Sequence, residues 1–126
     1  MQYRTHDIPD AVLAALTSFE TLPIPGTILQ LDGTIAAVNA AGCGLLGRPA
    51  DQLVGHKAWT FAPGLEYAWA ELLRIARERG VYRGELAIAT PTAARTIRYA
   101  LAVHEAAGHA YAIGFGVDVT AIETGL

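Results

Sequence analysis

Leu31–Arg48 reads LDGTIAAVNAAGCGLLGR. Its Asp32-Gly33 pair is the strongest short-range hairpin signal in the chain, because a two-residue primed turn needs positive φ and glycine supplies it without steric cost. The flanking GTILQL and TIAAVN are therefore expected to pair as antiparallel strands. Asn39 comes next, a residue whose side chain can cap a helix. AAGCGLLG and PADQLVG are two short runs each closed by a glycine, which predicts consecutive helices of one or two turns. KAWTFAP is a third short segment whose state the pattern leaves open.

On the amino-terminal side, DIPDAVLAALTSFE (residues 7–20) puts Asp7 at a cap position and Pro9 in the first turn. Ile8, Val12, Leu16 and Phe19 follow at helical spacing, which predicts a short amphipathic helix. LPIPG then stops it and sends the chain on in extended form, with a strand starting near Thr27. On the carboxyl-terminal side, Leu65, Trp69, Leu72 and Ala76 share one face of a helix over Leu65–Arg79 that Gly80 ends. The period then becomes two. Ile97, Tyr99, Leu101 and Val103 alternate with Arg98, Ala100, Ala102 and His104, and Tyr111, Ile113, Phe115 and Val117 alternate with Ala112, Gly114, Gly116 and Asp118. These two strands join at Ala107-Gly108, and YRGELAIA precedes them as a third. The order of elements predicts an α+β domain with a five-stranded antiparallel sheet and helices gathered on one face.

Composition limits what such a domain does. The chain has 126 residues, 52% apolar and 17% charged, enough for one domain that buries about two thirds of its unfolded surface. No repeat, low-complexity tract or linker divides it. A net charge of −3, with Lys57 as the only lysine, leaves no basic stripe for nucleic acid. No apolar run approaches the length of a membrane helix and no signal-peptide pattern opens the chain, so the expectation is a soluble, cytoplasmic protein. Cys43 stands alone and makes neither a disulfide nor a multi-cysteine metal site.

The pattern resembles a PAS domain, the Per-Arnt-Sim sensory module, over about Ile24 to Thr120. LDGTIAAVNAAGCGLLGRPADQLVG is similar to the family's opening block, and GFGVDVT (residues 114–120) to its closing block, whose Asp-x-Thr marks the exit of the last strand toward an effector. The resemblance divides the chain into an N-terminal flanking helix (1–22), the PAS domain (23–121) and a tail (122–126). It implies that the concave face of the sheet and the long helix enclose a ligand cavity. Ala112, Gly114 and Gly116, with Tyr99 and Leu101, would face it; Tyr111, Ile113, Phe115 and Val117 would lie on the outer face. A row of Ala and Gly on one face independently leaves space beside the sheet that a ligand or a closely packed helix must fill.

Several chemistries are then weighed against packing. Flavin-type photosensory PAS domains carry a reactive Cys in a helix that corresponds here to KAWTFAP, which has none; Cys43 reads instead as a small buried apolar residue. Haem-type PAS domains commonly place a His on the long helix, but LEYAWAELLRIARER has none, and Tyr67 and Trp69 read as packing aromatics. His56 is the remaining haem-ligand candidate, set against a solvated loop histidine. His104 and His109 flank the last turn without a regular third ligand, which argues against a metal site. His6 is near the amino terminus. No nucleophile elbow, phosphate loop, metalloprotease helix or paired-carboxylate pattern appears, and no acid points inward from the last two strands, so no enzyme activity is expected. No cofactor is required by the sequence.

Two functions remain. In the first, Trp59, Phe61, Trp69, Leu72, Leu73, Tyr99, Leu101, Ala112 and Gly114 line a site for a small apolar or amphipathic ligand such as a fatty acid, with Arg98 or His56 meeting a carboxylate at its mouth. In the second, those side chains fill one another's space and the domain is a ligand-free interaction module. Asp118 and Thr120 are the expected route of signal output. Val12, Leu16 and Phe19 of the first helix, with Tyr111, Ile113 and Phe115, are the expected surface of a symmetric homodimer, the alternative being a helix folded back on its own sheet. The effector is open: the chain reads either as an excised sensor or as a free-standing module.

Overall fold

The computed structural model describes residues 19–106 and 108–123. The proposed helix residues Val12 and Leu16 lie outside them, and Phe19 belongs to the last helical turn before the prolines. Five strands follow: β1 (Gly26–Gln30), β2 (Ile35–Val38), β3 (Tyr82–Ala89), β4 (Ala94–Ala106) and β5 (His109–Asp118). They form one antiparallel sheet in the order β2-β1-β5-β4-β3. Helices α1 (Ala40–Leu46) and α2 (Leu65–Arg79) and the single 3-10 turns Ala50–Gln52 and Ala58–Thr60 lie between β2 and β3, and a short α3 (Thr120–Glu123) follows β5. The α+β architecture expected from the sequence is the one observed. Among the described residues, no helix is long and apolar enough to cross a membrane.

The hairpin at Asp32-Gly33 forms, but with different geometry. Gly33 N–H donates to the Gln30 carbonyl (2.9 Å) and Gln30 N–H to the Thr34 carbonyl (2.8 Å), so the loop holds three residues, Leu31, Asp32 and Gly33, with positive φ at Gly33. This is a three-residue loop ending in a left-handed glycine rather than a two-residue primed turn. Asp32 Oδ1 accepts from Thr34 N–H (2.9 Å) and closes an Asx turn within it, a competing use of the same dipeptide. Further along, Ile28 faces Ala37 while Leu29 faces Ile35, which leaves Ala36 as the extra residue of a bulge.

α2 begins without a side-chain cap, carries Arg77 and Arg79 in its last turn, where cations oppose the helix dipole, and ends at Gly80 in left-handed conformation. Its inner face buries Trp69, Leu72 and Ala76. Leu29, Ile35, Val38, Leu53, Phe61, Leu101 and Ala112 complete the main core with them, between α2 and the inner face of the sheet. A second cluster occupies the outer face: Phe19, Ile28, Ala36, Ala37 and Tyr111, with Ile113 and Phe115 packed against it.

Candidate functional site

Asn39 is the buried polar residue that joins the two sides of the sheet. Its Oδ1 accepts from the N–H of Gly42 (2.8 Å), capping α1, and from the N–H of Gly26 (2.9 Å), opening β1. Its Nδ2 donates to the carbonyls of Ile24 (2.9 Å) and Phe19 (3.2 Å). The expected local cap is thus also a long-range tether that holds the Phe19 segment on the outer face, with the Phe19 and Phe115 rings 6.2 Å apart. Gly26 and Gly42 permit the approach: a Cβ on Gly26 would stand 2.8 Å from both rings, and one on Gly42 2.7 Å from Val38.

On the inner face, a cavity of about 130 Å³ lies between β5, β4, α1 and α2. Gly114 and Gly116 of β5 form part of its floor and Ile97, Tyr99 and Leu101 of β4 the adjoining strip. Leu45 and Leu46 of α1 bound one side, Leu65, Trp69 and Leu72 of α2 another, and Phe61 and Ala62 add to the wall. Among the described residues no charged one lines it, and Thr27, Trp69 and Tyr99 bring its polar side-chain atoms. The Trp69 indole N–H is already committed to the Leu31 carbonyl (2.8 Å) and fixes α2 to the hairpin loop. Burial, with the Tyr82 phenol alongside, raises the Tyr99 pKa well above the usual phenol range, so this hydroxyl stays neutral.

Of the residues proposed from sequence, Phe61, Trp69, Leu72, Tyr99, Leu101 and Gly114 line this cavity. Trp59 does not: it packs over Gly33, where a Cβ would come within 2.3 Å of its ring, and meets Trp69 edge-on at 6.1 Å. Leu73 and Ala112 belong to the surrounding core rather than to the cavity wall. Sequence reasoning missed Leu45, Leu46, Leu86, Ile88 and Ile97 as lining residues. The period-two run Tyr82, Gly84, Leu86, Ile88 in YRGELAIA is the signal that marks two of them.

The carboxylate anchors expected at the mouth are corrected. Arg98 neighbours Tyr99 in a strand, so its side chain leaves by the opposite face, where it binds Glu85 Oε2 through Nε (2.9 Å) and Nη2 (2.8 Å). His56 is exposed, outside the cavity lining, with its ring edge-on to Phe61 at 6.0 Å. Haem does not fit: the cavity is far smaller than a porphyrin, and His56 is outside it. Burial and the Glu20 charge raise the Cys43 pKa, the wrong direction for a reactive thiolate. His109 stacks on Tyr111 (6.4 Å), and among the described residues no three His, Cys, Asp or Glu side chains gather as a metal site.

The strand exit is tightly bonded. Asp118 Oδ2 meets Arg95 Nη1 at 2.6 Å, while Oδ1 accepts from the Thr120 N–H (2.8 Å) and from the Thr120 hydroxyl. Thr120 Oγ1 in turn accepts from Thr96 N–H (3.0 Å), and Val119 N–H donates to the Thr96 carbonyl (2.9 Å). The end of β5 is thereby fastened to the start of β4. These donors hold the Asp118 carboxyl down at about 2. Of the proposed dimer surface, Phe19 and Tyr111 are buried within their own chain, and Ile113 and Phe115 are half-buried beside them. Among the described residues, Ile24 and Val117, at 48% and 49% exposure, are open apolar residues beside this face.

No curated protein matches the sequence. Solved structures do, at identities that speak to fold alone. The PAS domain of a protein from Colwellia psychrerythraea superposes with a TM-score of 0.75 at 19% identity, over 89% of this chain and 99% of that one. A PAS domain from a two-component sensor histidine kinase gives 0.70 at 14%, over 86% and 96%. The PAS domain of a LuxR-family transcriptional regulator from Burkholderia thailandensis, solved in complex with ethanol, gives 0.70 at 14%, over 82% and 95%. The sequence model described as PAS fold matches residues 19–123. With the hairpin, the capped short helices, the sheet order and that match in agreement, the chain belongs to the PAS fold family.

Proposed function

We propose that this PAS domain is a cytoplasmic sensory module that binds a small, uncharged, mainly apolar molecule between its sheet and α2, and signals through Asp118, Thr120 and association of two copies. The observation that carries this reading is the apolar cavity of about 130 Å³ floored by glycine. An engineered apolar cavity of about 150 Å³ stays dry and takes up benzene, which sets the size class of the ligand. A long-chain fatty acid or a flavin exceeds that class, and a carboxylate would find no basic partner inside. The ethanol complex of the Burkholderia relative supports a ligand of this kind, and the kinase and regulator relatives support a role in signalling. A bound molecule acts on output only by favouring one state of the domain over another, and the Asp118-Thr120-Thr96 fastening is the element whose state it would bias.

A ligand-free interaction module is the second reading, favoured by the open Ile24 and Val117 beside the outer cluster. Native mass spectrometry of freshly purified protein, followed by titration with fluorobenzene read at the Gly114 and Leu101 amide resonances, separates the two. Saturable shifts, weakened at least about tenfold by Gly114→Val, support the sensor. A protomer of unchanged mass with no saturable shift, whether or not a dimer peak is present, gives the molecule to the interaction reading.

A further inference from the structure

The cavity wall is unevenly fastened. On the sheet side every strand is held by a ladder, and α2 is pinned through Trp69 to Leu31. The wall formed by Phe61 and Ala62 belongs to no regular element. Among the described residues, one backbone hydrogen bond joins Phe61–Gly64 to the sheet, from Ala89 N–H to the Phe61 carbonyl (2.9 Å); the others of this segment close local turns. Arg48 lies across the same junction. Its guanidinium sits 4.9 Å from the centre of the Phe61 ring, and Nη1 donates to the Ala89 carbonyl (3.0 Å) and, at longer range, to that of Leu46 (3.4 Å). Arg48 thus holds the end of α1, the end of β3 and the Phe61 ring together, with no acidic partner among the described residues. Gly47, left-handed and close to Pro91, brings Arg48 to that point.

We propose that Arg48 is the latch of the cavity: ligand passes where Phe61 swings outward, and the guanidinium sets how often it does. This rests on the sensor reading above. Arg48 bonds the closed wall in the same way with or without a ligand behind it, so its loss changes the rates of uptake and release together and leaves the affinity in place. A cation–π contact and a hydrogen bond from a charged donor lost together correspond to an opening about tenfold more frequent.

The test uses the whole chain, Arg48→Met, which keeps the aliphatic stem over Phe61, and Arg48→Lys, which keeps the charge. Fluorobenzene exchange is followed by ¹⁹F NMR and amide hydrogen exchange is read at Ala89. The expected result for Arg48→Met is association and dissociation rates both raised about tenfold, dissociation constant within about twofold of the parent, and faster exchange at Ala89 with β1 and β5 amides unchanged. Arg48→Lys falls between. Unchanged rates at unchanged affinity overturn the latch and leave the sensor reading standing. So does an affinity loss that tracks a lowered melting temperature, which makes Arg48 a structural residue only. Absence of fluorobenzene binding to the parent protein overturns the sensor reading and the latch with it.

Discussion

Two regions that meet at the stretch Leu31–Arg48, the surroundings of Asn39 and the cavity beside Leu45 and Leu46, solve opposite packing problems. Around Asn39, every hydrogen-bonding group of a buried amide is met, and neighbouring groups stand so close that a Cβ at position 26 would meet the Phe19 and Phe115 rings at 2.8 Å and one at position 42 the Val38 side chain at 2.7 Å. Next to it, beyond Leu45 and Leu46, the sheet face is left short of side chains and an apolar cavity remains. A buried polar group must be specified atom by atom, because each unmet donor or acceptor costs free energy; an apolar hollow is specified only by total volume. The first region fixes where the elements sit, and the second tolerates change.

The largest expected effect breaks the first region. Asn39→Ala strands the amides of Gly26 and Gly42 and the carbonyls of Phe19 and Ile24. Urea unfolding should show a loss on the order of 4 kcal/mol, and a loss below about 1 kcal/mol would remove the tether argument.

A matched pair of glycines sharpens the contrast. At Gly42 an alanine Cβ falls 2.7 Å from Val38 and 3.0 Å from the Gly26 carbonyl, so Gly42→Ala should destabilise by about 1–2 kcal/mol despite the better helix propensity of alanine. At Gly114 the nearest atoms stand 3.4 Å or more away, at Thr27, Ala100 and Leu101. Gly114→Ala should therefore be neutral to stabilising, by up to about 0.5–1 kcal/mol, while the cavity shrinks. Equal signs in the two unfolding curves would contradict the difference between the regions.

The smallest effect lies at the strand exit. Because the folded Asp118 carboxyl titrates near 2, below its unfolded value, its bonds contribute stability that is complete above the ordinary aspartate range and lost as pH falls from about 4 toward 2. Melting temperatures of the parent and of Asp118→Asn should converge across that interval. A gap unchanged between pH 5 and pH 2 would mean that the Thr120 and Arg95 contacts do not hold the carboxylate.

Much of the fold was legible because its signals are local. Gly47 and Gly80 closed helices where the pattern placed them, and the alternation from Ile97 to Val103 marked a strand whose Tyr99 and Leu101 the PAS resemblance placed on the inner face, where they line the cavity. The misread hairpin loop is also local: Asp-Gly serves a two-residue turn and a three-residue loop alike, and the choice is made by pairing between Gln30 and Thr34. The reach of Asn39 to Phe19 was hidden, since a cap is recognised from the residues after it while its other partners lie up to twenty positions before. For the site, Tyr99, Leu101 and Gly114 lie where they were expected, whereas Ala112, Trp59 and Leu73 pack in the surrounding core: facing inward or being apolar does not say which side chains border the hollow, which depends on how far apart the elements stand. Arg48 gave no signal at all; its partners come from α1, from β3 and from the irregular segment that carries Phe61.

The open space before Gly114 has a genetic consequence. Any glycine codon becomes one for alanine or valine by a single base substitution, and at this position the added methyl groups would enter the hollow rather than strike the backbone. The volume and contour of the chamber can therefore drift by point mutation, lineage by lineage, while the framework around Asn39 stays constant.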